Sequence, residues 1–87
     1  MEIADWRKII DELDDKIVAL LGERGRVAKE IGKLKAKADL PIVEPERAQA
    51  VFDRIEAMNP GTLPKGGLTR IYQGIMEVML DIQRQQR

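Results

Sequence analysis

Four side chains in this sequence have the types and spacing to hold a small anion: Arg24, Lys35, Arg47 and Gln83. Arg24 and Lys35 lie in "LLGERGRVAKEIGKLK", on the same helical stripe as Ile17, Leu20 and Ile31. Eleven residues separate them, which is about 1,100° of rotation at roughly 100° per residue, a net offset of about 20° and a rise of roughly 16 Å. Both therefore sit on one inward face. Gln83 repeats the anomaly, following Leu68, Tyr72, Ile75 and Met79 at helical steps, and Arg47 stands beside Glu44 near the apolar face of another segment. Taken singly, an Arg or Lys at the edge of an apolar stripe extends to water or pairs with a carboxylate, and Gln83 reads as a frayed helix end. Taken together, two cations and an amide on inward faces, with few carboxylates on the same stripes, would be left buried without partners, which is costly. A small, multiply charged organic acid would relieve that cost. Stacked bases are a poor alternative, because Trp6, Phe52 and Tyr72 are the only aromatic residues.

The elements that must position these groups follow from apolar periodicity. Ile3, Trp6, Ile10, Leu13, Ile17, Leu20, Val27, Ile31 and Leu34 recur at helical steps, predicting one amphipathic helix over about 3–38 that ends at "ADLPIVEP". Gly22, Gly25 and Gly32 fall inside it and read as close-packing or ligand-clearance positions rather than breaks. Pro45 suits a first helical turn and opens a second helix over about 45–58, with Ala48, Val51, Phe52 and Ile55 inward. After the loop "NPGTLPKGG", a third helix over about 67–85 turns Leu68, Ile71, Tyr72, Ile75, Met79 and Ile82 inward. The expected fold class is all-α, one domain over 1–87, with three helices and a very long first one. At 1.5 Å per residue a helix of this length is about 50 Å long, whereas a compact globule of this size has a radius of gyration of about 12 Å. The overhanging stripe must be buried on something else, and a second copy in a two-fold homodimer is the economical partner.

Bulk composition narrows the chemistry. The 15 basic and 15 acidic residues cancel, which disfavours nucleic acid and anionic membranes as partners and makes any cationic cluster local. No apolar run approaches a membrane span, and "MEIADWRK" lacks the apolar core of a secretory signal. Cysteine and histidine are absent, which removes disulfides, the usual zinc sites, and thiol or imidazole catalysis. No metal or cofactor is expected, and a reducing, cytoplasmic setting suits the composition.

The stretch "WRKIIDELDDKIVALLGERGRVAKEIGKLK", then "PIVEPERAQAVFDRI" and "IYQGIMEVMLDIQ", resembles the all-helical, bacterial-type chorismate mutases from Arg7 to Gln83. The resemblance implies an intertwined antiparallel homodimer of three-helix chains that rearranges chorismate to prephenate, at the branch toward phenylalanine and tyrosine. Carried over by motif position, it implies that Arg24 and Arg47 hold substrate carboxylates. Lys35 and Gln83 would be the catalytic donors to the ether oxygen, with Glu44 near the substrate hydroxyl and Arg7 supplied by the partner chain. Independently of the family, Arg7 and Lys35 are 28 residues apart, about 42 Å along one helix. Both can serve one site only if they come from different protomers, which gives two sites per dimer.

A [3,3]-sigmatropic rearrangement needs no nucleophile, proton transfer or metal. The protein must hold a compact conformer and stabilise charge on the breaking ether bond, so a chain without histidine or cysteine suits it. Two positions depart from the family pattern. Ala48 stands where many members carry a glutamate, and Met79 where a small hydroxyl residue can touch a carboxylate; both bear on substrate affinity. The same fold and basic site, with an apolar residue after "PER", also resemble isochorismate-pyruvate lyases. A non-catalytic helical dimer is the remaining alternative.

Overall fold

The computed structural model describes all residues from Met1 to Arg87 and contains three α-helices and no strand. The first, α1, runs unbroken over Ile3–Lys37. The Glu2 backbone N–H donates to Asp5 Oδ2 at 2.8 Å, satisfying one of the free donors that every helix start exposes. At the other end Asp39 adopts a left-handed φ of 53°, and the Leu40 N–H returns to the Lys35 carbonyl at 2.8 Å. This reversal stops α1 at Lys37, one residue short of the expected end, and turns the chain toward α2. Helix α2 spans Pro45–Ala57 with Pro45 in its first turn, where a missing N–H costs nothing. Helix α3 spans Gly67–Arg84.

Helix α3 packs on both α1 and α2, which do not pack directly on each other. The helices α1 and α3 run in the same sense, since Arg24 meets Met76 and Lys35 meets Gln83. The core is small: Ala28, Val51, Ile55 and Met79 are its buried apolar residues. On α3, Leu68, Tyr72, Ile75 and Ile82 are half-buried, in line with the inward face expected for them. Ile71 is a correction: it is 54 % exposed. It sits at the edge of the arc that faces α1 and α2, about 60–70° from its centre, beside Arg70 and the Leu63–Pro64 loop.

The shape is far from globular. The radius of gyration is 16.0 Å and the extents are 55 × 24 × 14 Å. Every residue from Met1 to Leu20 is exposed, and so are all nine apolar residues of the α1 stripe. Trp6 (56 %) and Ile17 (52 %) lie bare on the N-terminal half of α1, which nothing in its own chain covers. A contiguous apolar face of this length marks an association surface. No helix is long and apolar enough to cross a membrane.

One structural contact has no counterpart in the sequence pattern. Gly66, which precedes α3, offers no side chain to cap it. The cap comes from α2 instead: Glu56 Oε1 accepts from the Thr69 N–H at 2.9 Å and from the Thr69 hydroxyl at 2.8 Å. These bonds hold the Glu56 carboxyl below its ordinary pKa of 4.5, because a carboxylate that accepts hydrogen bonds and faces a helix N-terminus is favoured in its charged form. A folded-state pKa lowered in this way contributes stability above the unfolded value and loses it as pH falls through the folded one. Glu56→Gln should therefore lower the melting temperature at neutral pH. The gap from the parent protein should close as the pH drops below 4.5, a comparison that thermal melts at stepped pH would check.

Candidate active site

The C-terminal half of α1, the start of α2 and the C-terminal half of α3 enclose a cavity of about 720 Å3, a size typical of small-molecule sites. Arg24, Lys35, Glu44, Arg47, Ala48, Met79 and Gln83 all line it. Three segments far apart in sequence thus bring seven of the eight expected site residues to one place. Arg7 is the eighth. It is exposed on the free part of α1 and does not line this cavity.

The centre of the site is the ammonium of Lys35. The residue is buried, 8 % exposed, and Nζ donates to Gln83 Oε1 at 2.9 Å and to the Ile42 carbonyl at 2.8 Å. Its third contact is Glu44 Oε1 at 2.8 Å. This corrects the expectation that the stripe cations lack carboxylate partners, since Glu44 neutralises Lys35 from the N-cap of α2. The reversal after α1 brings Glu44 back over the helix end, a proximity that helical periodicity does not encode. The hydrogen bond and charge of Lys35 hold the Glu44 carboxyl below its ordinary pKa, and the charge of Arg47 adds to the effect. Gln83 is buried and structured, and so is not a frayed end. Its carbonyl is spent on Lys35, which fixes the amide so that its NH2 is the group left to donate.

Arg24 and Arg47 differ from Lys35. Neither forms an ion pair within 4.0 Å. Arg24 is half-buried, and one Nη donates only weakly, to Met76 Sδ at 3.5 Å. Arg47 is exposed at the cavity rim. With Arg54 and Arg84 the lining holds five cations against the carboxylates Glu44 and Glu77, in a chain whose formal net charge is zero. A concave wall of one sign focuses potential on an anion. Ala48 and Met79 add an apolar patch to the wall, Met79 buried and Ala48 half-buried.

Close approach of α1 and α3 makes the Lys35–Gln83 bond possible, and Gly32 permits it. A Cβ at Gly32 would stand 2.8 Å from Gln83 Cα and 3.2 Å from Gln83 Cβ. Of the three helical glycines marked for close packing, only Gly32 meets backbone. Gly25 faces the flexible end of Ile82 at 3.3 Å, and Gly22 has no neighbour from its own chain within 4 Å. The sequence reading missed Ile42, whose contribution is a backbone carbonyl.

The chain matches the family described as chorismate mutase type II over residues 6–84, and it belongs to that family. Among relatives, it is 39 % identical over 87 residues to the bifunctional chorismate mutase/prephenate dehydratase of Aquifex aeolicus, covering 95 % of this chain and 24 % of that protein. It is 40 % identical over 57 residues to the chorismate mutase of Methanocaldococcus jannaschii, covering 66 % of this chain and 58 % of that one. The chain thus spans a quarter to little over half of these relatives. Among solved structures, chorismate mutase (form II) from Thermus thermophilus superposes with a TM-score of 0.92 at 33 % identity, covering 97 % of this chain and 96 % of that one.

Gly32→Ala should force α3 away from α1 at Gln83. Overpacking costs about 1–3 kcal/mol, offset in part by a gain of roughly 1 kcal/mol in helix propensity. Urea unfolding should show a net loss of about 1 kcal/mol, and any activity that depends on the Lys35–Gln83 pair should fall more steeply than stability does.

Proposed function

We propose that this chain converts chorismate to prephenate, working as an intertwined, antiparallel homodimer with two sites. The observation that carries the reading is the buried Lys35–Gln83 pair on a cavity that also holds the unpaired cations Arg24 and Arg47, in a member of the chorismate mutase type II family. Arg24 and Arg47 take the two carboxylates of chorismate and fix its compact, chair-like conformer, which lowers the entropic part of the barrier. Lys35 and the Gln83 NH2 meet the ether oxygen from two sides and stabilise the charge that grows there as the C–O bond breaks. Preorganised donors of this kind need no reorganisation at the moment of reaction, and burial strengthens them. Glu44 lies at the edge where the substrate hydroxyl would point.

Arg7 completes the reading. The unbroken α1 sets it about 42 Å from Lys35 along the axis, so its own cavity is out of reach. The exposed stripe that includes Trp6, Leu13 and Ile17 offers the surface on which a second α1 docks, carrying Arg7 to the partner's cavity. A second reading, isochorismate-pyruvate lyase, rests on Ala48: its methyl on the cavity wall leaves no carboxylate there for a hydroxyl.

Following loss of chorismate and isochorismate in parallel, with product identification, tests the activity. Prephenate should form from chorismate, and chorismate left unchanged at millimolar concentration would sink the proposal. Lys35→Ala should lower kcat by about 10²–10³-fold, the usual effect of removing one such donor. In a non-catalytic dimer the same change would have no turnover to lower. Shared sites give a sharper result. Arg7→Ala and Lys35→Ala chains, each nearly inactive alone, should regain about a quarter of parental activity when unfolded and refolded together, because half the dimers are mixed and each mixed dimer has one intact site. No recovery on mixing would rule out the exchange of Arg7.

A further inference from the structure

An ammonium group has three N–H donors and no more. At Lys35 all three are taken by the protein, on the Ile42 carbonyl, Gln83 Oε1 and Glu44 Oε1. An anion in the cavity therefore reaches Lys35 only by displacing one of these acceptors. The three are unequal. Ile42 offers a main-chain carbonyl in the segment between α1 and α2, and Gln83 is buried against Gly32. Glu44 is the loose one: its side chain is 48 % exposed and lies at the N-cap of α2. There a freed carboxylate stays favoured by the helix N-terminus and by water.

We infer that Glu44 is an internal competitor for the anion site, seated on Lys35 and exchanged for a ligand's acceptor when the cavity is occupied. The inference rests on the proposed function only in taking this cavity as the anion site. The exchange sets a threshold. A monoanion that displaces Glu44 trades one carboxylate for another and gains little. A dianion also engages Arg24 and Arg47, both free of ion pairs, and so recovers more than it displaces. Glu44 is thus a specificity-determining residue that selects for ligands with two acidic groups, in addition to facing the substrate hydroxyl.

The test is a calorimetric titration of the full chain with meta-benzenedisulfonate, a dianion that neither reacts nor titrates near neutral pH. Glu44→Gln should tighten its binding by about tenfold, the usual worth of one charge-assisted hydrogen bond, and Glu44→Ala by at least as much. Glu77→Gln removes the same charge from the same cavity wall without touching Lys35, and should change binding less than threefold. Tightening in Glu44→Gln no greater than in Glu77→Gln would mean that long-range charge alone is at work, and would overturn the inference. So would unchanged or absent binding in both Glu44 variants. Because the probe does not react, this outcome is independent of chorismate turnover, whose failure would count against the proposed activity alone.

Discussion

The structure depends on a buried positive charge. Lys35 lies near the end of α1, Gln83 near the end of α3, and Ile42 and Glu44 in the segment that leads into α2. One nitrogen atom thus ties the ends of α1 and α3 to the segment that leads into α2. Burying an ammonium is expensive unless its protons are all matched, and here they are. Breaking the bond to Ile42 or to Gln83 would leave an unmet polar group in a poorly hydrated place, so that part of the arrangement is steep in energy and narrow in geometry. That is the kind of definition a catalytic donor needs.

The same economy explains the shape. Only four apolar residues are buried in the core, far fewer than a chain of this length needs to offset its conformational entropy. The missing burial is displayed along α1, where the stripe from Ile3 to Leu34 is bare. A three-helix chain that folded around this stripe would need a shorter α1 with a turn near its middle. The sequence has no proline there, and the polar stretch "GERGR", with Gly22 and Gly25, remains helical. The helix runs unbroken and its apolar face is left uncovered. In the proposed dimer stability and association would be one quantity, and a site shared between protomers suits that arrangement.

How far the sequence could be read depends on whether the information is local. Helical periodicity is local, so three helices and the shared inward face of Arg24 and Lys35 were legible from spacing, whereas the convergence of both with Arg47 and Gln83 was implied by the family resemblance. Ile71 was misjudged because a six-residue inward face takes in the edge of the arc as readily as its centre. The Glu56 cap on Thr69 joins two helices across a loop of nine residues, and nothing in either segment announces it. The Ile42 carbonyl has no side-chain signature at all. Glu44 is the instructive case. Its type and position drew notice, but as a partner for ligand rather than for Lys35, because the turn through Asp39 that folds it back depends on a single left-handed residue.

A protein with no net charge can still build a strongly cationic cavity by sorting its charges. Acids of this chain also lie on the outer faces, as in the pair Glu30–Lys33, both more than half exposed; such surface pairs contribute little to stability. On the cavity wall the balance is reversed, and of the two acids that line it only Glu44 pairs with a cation. That placement resolves a difficulty common to all anion sites. A cluster of cations without a counterion destabilises the fold that holds it, while a permanent counterion would fill the site. A carboxylate tied on one side to the buried lysine and open on the other to water meets both demands. It stabilises the buried charge through folding and can be exchanged at modest cost.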